Sequence, residues 1–69
     1  MLNPYRKSVG QKVRAFRTRL GLSQEALAEK ADMHWTYISG VERGKYNLSL
    51  DSLVRIAKAL GRAPSELLK

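Results

Sequence analysis

Residues 23–44, SQEALAEKADMHWTYISGVERG, contain two short amphipathic segments separated by about one turn. A helix this short is marginal in water, because its nucleation costs more than its few hydrogen bonds recover. Each segment therefore needs a neighbour to cover its apolar side, and the tight connection makes each segment the neighbour of the other. The stretch predicts two steeply crossed helices, over residues 24–31 and about 35–43.

The short connection between the two helices also requires particular side chains at single positions. The small side chain of Ala28 lets the two helices cross closely, and Asp32 tolerates the positive φ of the turn, although less readily than Gly or Asn. Met33 is expected to fill the space between the helices. A pair of this shape leaves its second helix protruding, as is required to enter a major groove about 12 Å wide.

Helical spacing of apolar residues recurs outside this pair, and no stretch alternates apolar and polar residues long enough to be a strand. A first helix is predicted over about residues 6–20 and a fourth over about 50–60, each followed by a glycine. Pro64 suits the first turn of a short fifth helix. The sequence thus predicts a single all-α domain over residues 1–69. Its core positions are expected to be Val9, Val13, Phe16, Leu20, Leu27, Ala31, Met33, Ile38, Val41, Leu50, Leu53, Ile56, Ala57 and Leu60.

The charge of the chain points to a polyanionic partner. Thirteen Lys and Arg oppose six Asp and Glu, for a formal net charge of +7. The basic residues from Arg6 to Arg19 all precede the first acidic residue, Glu25. Such a distribution favours nucleic acid or an anionic membrane surface, the alternative being a basic surface with no such partner.

Other classes of protein are not expected. No cysteine and a single histidine leave no disulfide and no Cys or His cluster for a metal ion. The chain offers no evident catalytic pair of carboxylates, and GVERGKYN lacks the spacing of a P-loop, so neither an enzyme nor a cofactor is predicted. No apolar run could span a membrane, and no signal peptide is evident, which predicts a cytoplasmic, nucleoid-associated protein.

The segments GLSQEALA, YISxxERG and SLxxLxxIAKALG together resemble the helix-turn-helix family of phage Cro and repressor proteins, the XRE family, over nearly the whole chain. TYISGVERG most resembles restriction–modification controller proteins and other small stand-alone regulators. The resemblance implies a five-helix, lambda-repressor-like domain that binds double-stranded DNA as a homodimer. The chain departs from the family pattern at Asp32, where Gly is common, and at Ala63, where a capping Ser is common. We expect slight strain in the turn and a frayed or shifted last helix.

The resemblance implies roles for residues that open the two helices. Gln24 matches a glutamine that clamps the DNA backbone at a helix N-terminus, where free N–H groups favour a phosphate; a solvated Gln24 is the alternative. Thr36 is expected to contact base edges or a thymine methyl, and Trp35 thymine methyls or the sugar–phosphate wall. His34 and Tyr37 belong to the same end of the recognition helix. Alternatively, Trp35 or Tyr37 packs against the domain, and His34 only caps the helix.

Residues further along the recognition helix and in the loop after it complete the predicted surface. Ser39 is a further base-reading position, whereas Gly40 either permits close approach to DNA or is merely tolerated, at about 1 kcal/mol relative to Ala. Arg43 and Lys45 are expected to bind phosphates or a minor-groove edge, with Asn47 in the same loop. A solvated charged loop is the alternative. The predicted DNA-binding residues are Gln24, His34, Trp35, Thr36, Tyr37, Ser39, Arg43, Lys45 and Asn47.

Two further expectations concern structure rather than DNA. Arg17 and Glu42 match a pair that the family forms between its first and third helices, and the pair should lock the recognition helix in place. Leu67 and Leu68, with part of the fourth helix, form the dimer contact or else close the domain's own core. The remaining basic residues of the first helix, Arg6, Lys7 and Lys12 among them, are interpreted as general electrostatic attraction.

The function implied is a sequence-specific transcriptional regulator that places a recognition helix in the major groove of a near-palindromic operator. A restriction–modification controller, or the antitoxin of a toxin–antitoxin pair, is the alternative within this fold. A basic binder of membranes or RNA is disfavoured, because charge alone would not require Ala28, Met33, Ile38 and Val41 at their spacings. No small-molecule ligand is expected.

Overall fold

The computed structural model describes residues 4–69, so residues 1–3 of the predicted domain lie outside the described part. These residues form helices only, without a strand, which confirms the predicted all-α class. The helices are α1 (Pro4–Arg19), α2 (Gln24–Ala31), α3 (Trp35–Glu42), α4 (Leu50–Leu60) and α5 (Pro64–Leu68). The first helix begins at Pro4 rather than Arg6, and Arg43 follows α3 as its C-cap instead of belonging to it.

Side chains at the helix ends explain why the short helices begin where they do. Ser23 accepts a hydrogen bond of 3.0 Å from the backbone N–H of Ala26, and Ser49 accepts one of the same length from Ser52. Each bond satisfies a donor that the first turn of a helix leaves free. The two caps therefore define the starts of α2 and α4, as the sequence predicts.

The turn between α2 and α3 depends on Asp32. Its φ of 57° makes it the only residue other than glycine with a positive φ in the described part of the chain. The conformation costs an L-residue about 1 kcal/mol, and it lets the Met33 N–H donate to Ala28 O at 2.8 Å. Arg55 of α4 supports the turn, since its guanidinium donates to the Asp32 carbonyl and lies 3.7 Å from the Asp32 carboxylate.

The core lies where all five helices meet, and Phe16 and Met33 pack against its edge. Ala28 is buried between α2 and its neighbours, as expected for the crossing. α3 contacts α1 and α2, which together hold it at one side of the domain. The buried apolar residues are Val9, Val13, Leu27, Ala28, Ala31, Ile38, Val41, Leu53, Ile56, Ala57, Leu60 and Leu67.

Two predicted core residues are wrong. Leu20 is 54% exposed and Leu50 is 76% exposed. Leu20 directly follows the last residue of α1, and Leu50 is the first residue of α4. Both therefore lie at helix ends, where neighbouring helices no longer cover the apolar stripe.

Two expectations concern α5: the position of Leu67 and Leu68, and the residue at which the helix begins. Leu67 is fully buried and closes the core, so it cannot form a dimer contact, whereas Leu68 is exposed. α5 begins at Pro64, without the shift expected from Ala63. The Glu66 carboxylate accepts a hydrogen bond of 2.8 Å from the Ala63 N–H, and this bond lowers the pKa of Glu66. A side chain from inside the helix thus replaces the missing serine cap.

Candidate nucleic-acid interface

α3 buries one face and exposes the other. Ile38, Gly40 and Val41 are buried against the rest of the domain. Trp35 is 46% exposed, and Thr36 is exposed beside it. The first turn of α3 therefore protrudes and can contact a partner without any rearrangement of the core.

The N-terminus of α3 is capped by His34. The backbone N–H of Thr36 donates to His34 Nδ1 at 3.2 Å, and Thr36 Oγ1 lies 2.7 Å from the same nitrogen. The His34 ring stacks on Trp35, with 6.2 Å between ring centroids. His34 thus has the capping role that the sequence offered as an alternative, and it also holds the Thr36 hydroxyl and the Trp35 ring in fixed positions.

Tyr37 points a different way from Trp35. It is half-buried, packs against the core and stacks on Tyr46, with 5.3 Å between ring centroids and 7° between ring planes. Tyr46 also explains Gly40, because a Cβ on residue 40 would lie 2.1 Å from Tyr46 Cε2. Gly40 is buried under this ring, so its role is close packing within the protein and not close approach to DNA.

Arg17 and Glu42 join the end of α3 to α1. Arg17 Nε lies 2.6 Å from Glu42 Oε2, and Nη2 donates to Oε1 at 2.9 Å. A third bond, from Nη1 to Leu22 O at 2.8 Å, ties the pair to the α1–α2 connection. The two side chains are only 12% and 4% exposed, and the bond to Glu42 raises the pKa of Arg17 despite burial. The C-terminal end of α3 is therefore held by a nearly buried, bidentate ion pair.

Gln24 belongs to the same cluster. Its Nε2 donates to Glu42 Oε1 at 3.2 Å, so the start of α2 and the end of α3 share one carboxylate. An amide nitrogen carries two hydrogens, and the second remains for another acceptor. The sequence does not predict this bond, because spacing along the chain carries no sign that Gln24 approaches Glu42.

α1 approaches α3 closely at Gly10. A Cβ at this position would lie 2.3 Å from Val41 O and 2.8 Å from Glu42 O. Gly10 is a site residue that sequence patterns alone do not identify, although a glycine inside a predicted helix is a signal of close contact. The backbones of α1 and α3 therefore lie in close contact at the end of α3 that carries Glu42.

The loop after α3 carries the remaining predicted site residues, with Lys45 and Asn47 exposed. Arg43 Nε donates to Ser39 O at 3.4 Å, which directs the guanidinium back along the helix, and Ser39 is half-buried. Asn47 Oδ1 accepts a hydrogen bond from Arg6 Nε. Arg6, interpreted from sequence only as general attraction, therefore lies beside the loop and extends its basic surface.

The described residues contain neither a candidate metal site nor a candidate membrane-spanning helix. Residues 4–69 contain no group of three His, Cys, Asp or Glu side chains that could hold a metal ion. Within the same residues, no helix has the length and apolar character needed to cross a membrane.

Comparison with known proteins agrees with this architecture. The helix-turn-helix family HTH_3 matches residues 13–67. Control protein C.BamHI from Bacillus amyloliquefaciens is 51% identical over 69 residues, which cover 99% of this chain and 85% of that protein. Control protein C.SmaI from Serratia marcescens is 43% identical over 60 residues, covering 87% of this chain and 71% of that protein.

Solved structures agree as well. The crystal structure of the restriction–modification controller protein C.AhdI from Aeromonas hydrophila superposes with a TM-score of 0.90 at 42% identity, covering 94% of this chain and 98% of that chain. Both the sequence match and the superposition extend over most of the chain, including α2, α3 and the turn between them. The protein belongs to the HTH_3 helix-turn-helix family, the XRE-type family that its sequence motifs resemble.

Proposed function

We propose that the protein is a sequence-specific, DNA-binding transcriptional regulator that acts through α3. The observation that carries this proposal is the protruding first turn of α3, a helix whose other end is fixed to α1 by the nearly buried Arg17–Glu42 pair. A helix presented rigidly in this way fits the major groove, where each base pair offers a distinct pattern of hydrogen-bonding groups. We propose that residues 1–69 act as one cytoplasmic DNA-binding domain.

Base reading and phosphate binding are assigned to different parts of this surface. Trp35, Thr36 and Ser39 lie on the exposed and half-buried sides of α3 and are proposed to contact bases. The residues proposed to bind phosphates are Gln24, through its second amide hydrogen, Arg43, Lys45 and Asn47. His34 and Tyr37 are proposed to hold this surface in place, through the cap on Thr36 and the stack on Tyr46. Each phosphate neutralised by a cation releases counterions, so affinity should fall steeply as salt rises.

We propose further that the protein binds DNA as a homodimer. Two copies of α3 could then enter successive major grooves about 34 Å apart on a near-palindromic operator. Exposed apolar side chains on α4 and α5 are candidates for the contact between copies. Leu50, Val54 and Leu68 are 76%, 42% and 53% exposed, respectively.

Among the possible biological settings, the relatives favour a restriction–modification controller. C.BamHI and C.SmaI are both called control proteins, and the C.AhdI structure is described as a restriction–modification controller. The antitoxin alternative has no such support. The neighbouring genes distinguish the two settings, since one predicts a restriction enzyme and its methyltransferase and the other a toxin.

The test is a fluorescence-anisotropy titration with DNA from immediately upstream of the protein's own gene. A shuffled duplex of equal length serves as the control, and both are titrated at two salt concentrations. We expect about a hundredfold or greater preference for the native duplex, with two subunits bound per site. Equal affinity for the two duplexes would contradict specific regulation from this site, and no binding even at low salt would contradict DNA binding altogether.

A further inference from the structure

We propose that Tyr46 is a positioning residue that holds the 43–47 loop against α3, so that Lys45 meets a DNA phosphate in a preset position. This inference rests on the proposed function. It gives a role to a side chain outside the set of residues expected to touch DNA. Three contacts hold the loop, and the Lys45 ammonium is free to meet a ligand.

The first contact is between the Tyr46 ring and Gly40. A Cβ built on residue 40 would lie 2.1 Å, 2.7 Å and 2.9 Å from three ring carbons of Tyr46. The ring therefore lies directly on the backbone of α3, in space that any other residue at position 40 would occupy. Such close packing fixes the position of Tyr46 along the helix.

The second contact fixes the orientation of the ring. Tyr46 stacks on Tyr37 with 7° between ring planes and 5.3 Å between centroids. Tyr37 is itself packed against the core. The Tyr46 ring is thus held by the backbone of α3 at residue 40 and by an anchored aromatic ring, although Tyr46 lies in a loop and remains 40% exposed.

The third contact brings Lys45 into the same arrangement. Its backbone N–H donates to Gly40 O at 2.9 Å, so Lys45 and Tyr46 are both attached at the same residue of α3. Before them, Gly44 has a φ of +74° and lies against α1, where an added Cβ would be 3.2 Å from Lys7 Cα. The loop is therefore held on both sides of Lys45.

The Lys45 side chain remains available for a ligand. It is exposed, and its ammonium makes no hydrogen bond or ion pair with any residue that the structure describes. A cation on a loop that is already ordered loses less conformational freedom on binding than one on a mobile loop. Without the Tyr46 ring, ordering the loop should cost about as much free energy as one exposed phosphate contact returns, so the Lys45 contact should be lost although Tyr46 itself touches no DNA.

The experiment compares Tyr46→Ala, Lys45→Ala and the double variant in anisotropy titrations over a series of salt concentrations. Lys45→Ala should lower the slope of log affinity against log salt by about 0.9, the value for one phosphate contact. Tyr46→Ala should weaken binding by roughly tenfold and lower the slope by a similar amount. Because both changes remove one contact, the double variant should bind within about twofold of Tyr46→Ala.

Matched variants separate positioning from other roles. Tyr46→Phe keeps the stacked ring and should bind as the parent protein does, and Lys58→Ala removes an exposed lysine in the last turn of α4 and should leave the slope unchanged. Urea unfolding and stoichiometric titration report the folded, active fraction of each variant. If Tyr46→Ala does not fold, Tyr46→Leu, which keeps apolar bulk without the flat ring, takes its place with the same expectation.

Three results would overturn the inference: an unchanged salt slope in Tyr46→Ala, additive effects in the double variant, or a Phe variant as weak as the Ala variant. The last would indicate a direct contact through the hydroxyl. A parent protein that binds no DNA would instead refute the proposed function, so the two failures are distinguishable.

Discussion

Replacing Glu42 by glutamine keeps the shape of the side chain and removes the charge that holds Arg17. Glu42 Oε2 lies 2.6 Å from Arg17 Nε, and Oε1 accepts from Nη2 at 2.9 Å. An amide can offer the guanidinium only one acceptor oxygen, and its nitrogen would oppose a second donor. The variant therefore leaves a nearly buried cation with half of its carboxylate partner.

The contacts of the pair set the size of the effect. Breaking a buried ion pair by changing one partner costs about 3–5 kcal/mol. The lower end applies here, because Arg17 keeps its bond to Leu22 O and is 12% exposed. A domain of this length is stabilised by about 3–10 kcal/mol in total, so a loss of about 3 kcal/mol is a large fraction. It corresponds to a fall in Tm of about 12–24 °C.

Urea unfolding of Glu42→Gln beside the parent protein measures this loss. Asp51→Asn is the matched control, since Asp51 pairs with Arg55 at 3.7 Å with its own side chain 83% exposed, and it should cost less than about 1 kcal/mol. The bond to Glu42 raises the pKa of Arg17, so the guanidinium keeps its charge at the neutral pH at which the variants are compared. A loss below about 1 kcal/mol for Glu42→Gln would refute the view that this pair locks α3.

Three other outcomes are expected. Gly40→Ala should destabilise the fold by about 1–3 kcal/mol in urea unfolding, because the clash with the Tyr46 ring outweighs the better helix propensity of Ala. A stabilised variant would contradict this packing. Because the bond to the Ala63 N–H lowers the pKa of Glu66, this carboxylate stabilises the fold above the pKa of the unfolded carboxyl, and the stabilisation is lost as pH falls through the folded pKa. Glu66→Gln should therefore lose less Tm on acidification than the parent protein does. An equal loss of Tm in the two proteins would contradict this. In anisotropy titrations, Trp35→Ala should reduce the preference for native over shuffled DNA by about tenfold, with little change in the slope of log affinity against log salt. An unchanged preference would exclude Trp35 from base reading.

Much of the helix-turn-helix unit could be predicted because its signals are local. Ser23 and Asp32 mark the ends of α2 through backbone preferences that hold wherever the helix is placed. The spacing of Leu27, Ile38 and Val41 likewise identifies the buried faces, and all three are in the core. These features depend on the chain within a few residues of each position.

Features that depend on distant parts of the chain were missed. Spacing shows which face of a helix is apolar but not where the neighbouring helix stops. It therefore predicts Leu20 and Leu50 in the core, although both are exposed. Gly40 is required by its contact with Tyr46, and a contact between a loop residue and a helix produces no periodic pattern in the sequence. The bond from Gln24 to Glu42 is a similar case, since it follows from the crossing of α2 and α3.

The proposal that a dimer reads DNA through α3 is tested by selecting bound duplexes from a random pool and sequencing them. We expect an enriched pair of inverted half-sites, with centres about one helical turn (10–10.5 base pairs) or a multiple of it apart. The enrichment should disappear when Trp35 and Thr36 are both replaced by alanine. Bound DNA without an enriched motif, or a motif that survives in the Trp35 and Thr36 variant, would contradict the claim.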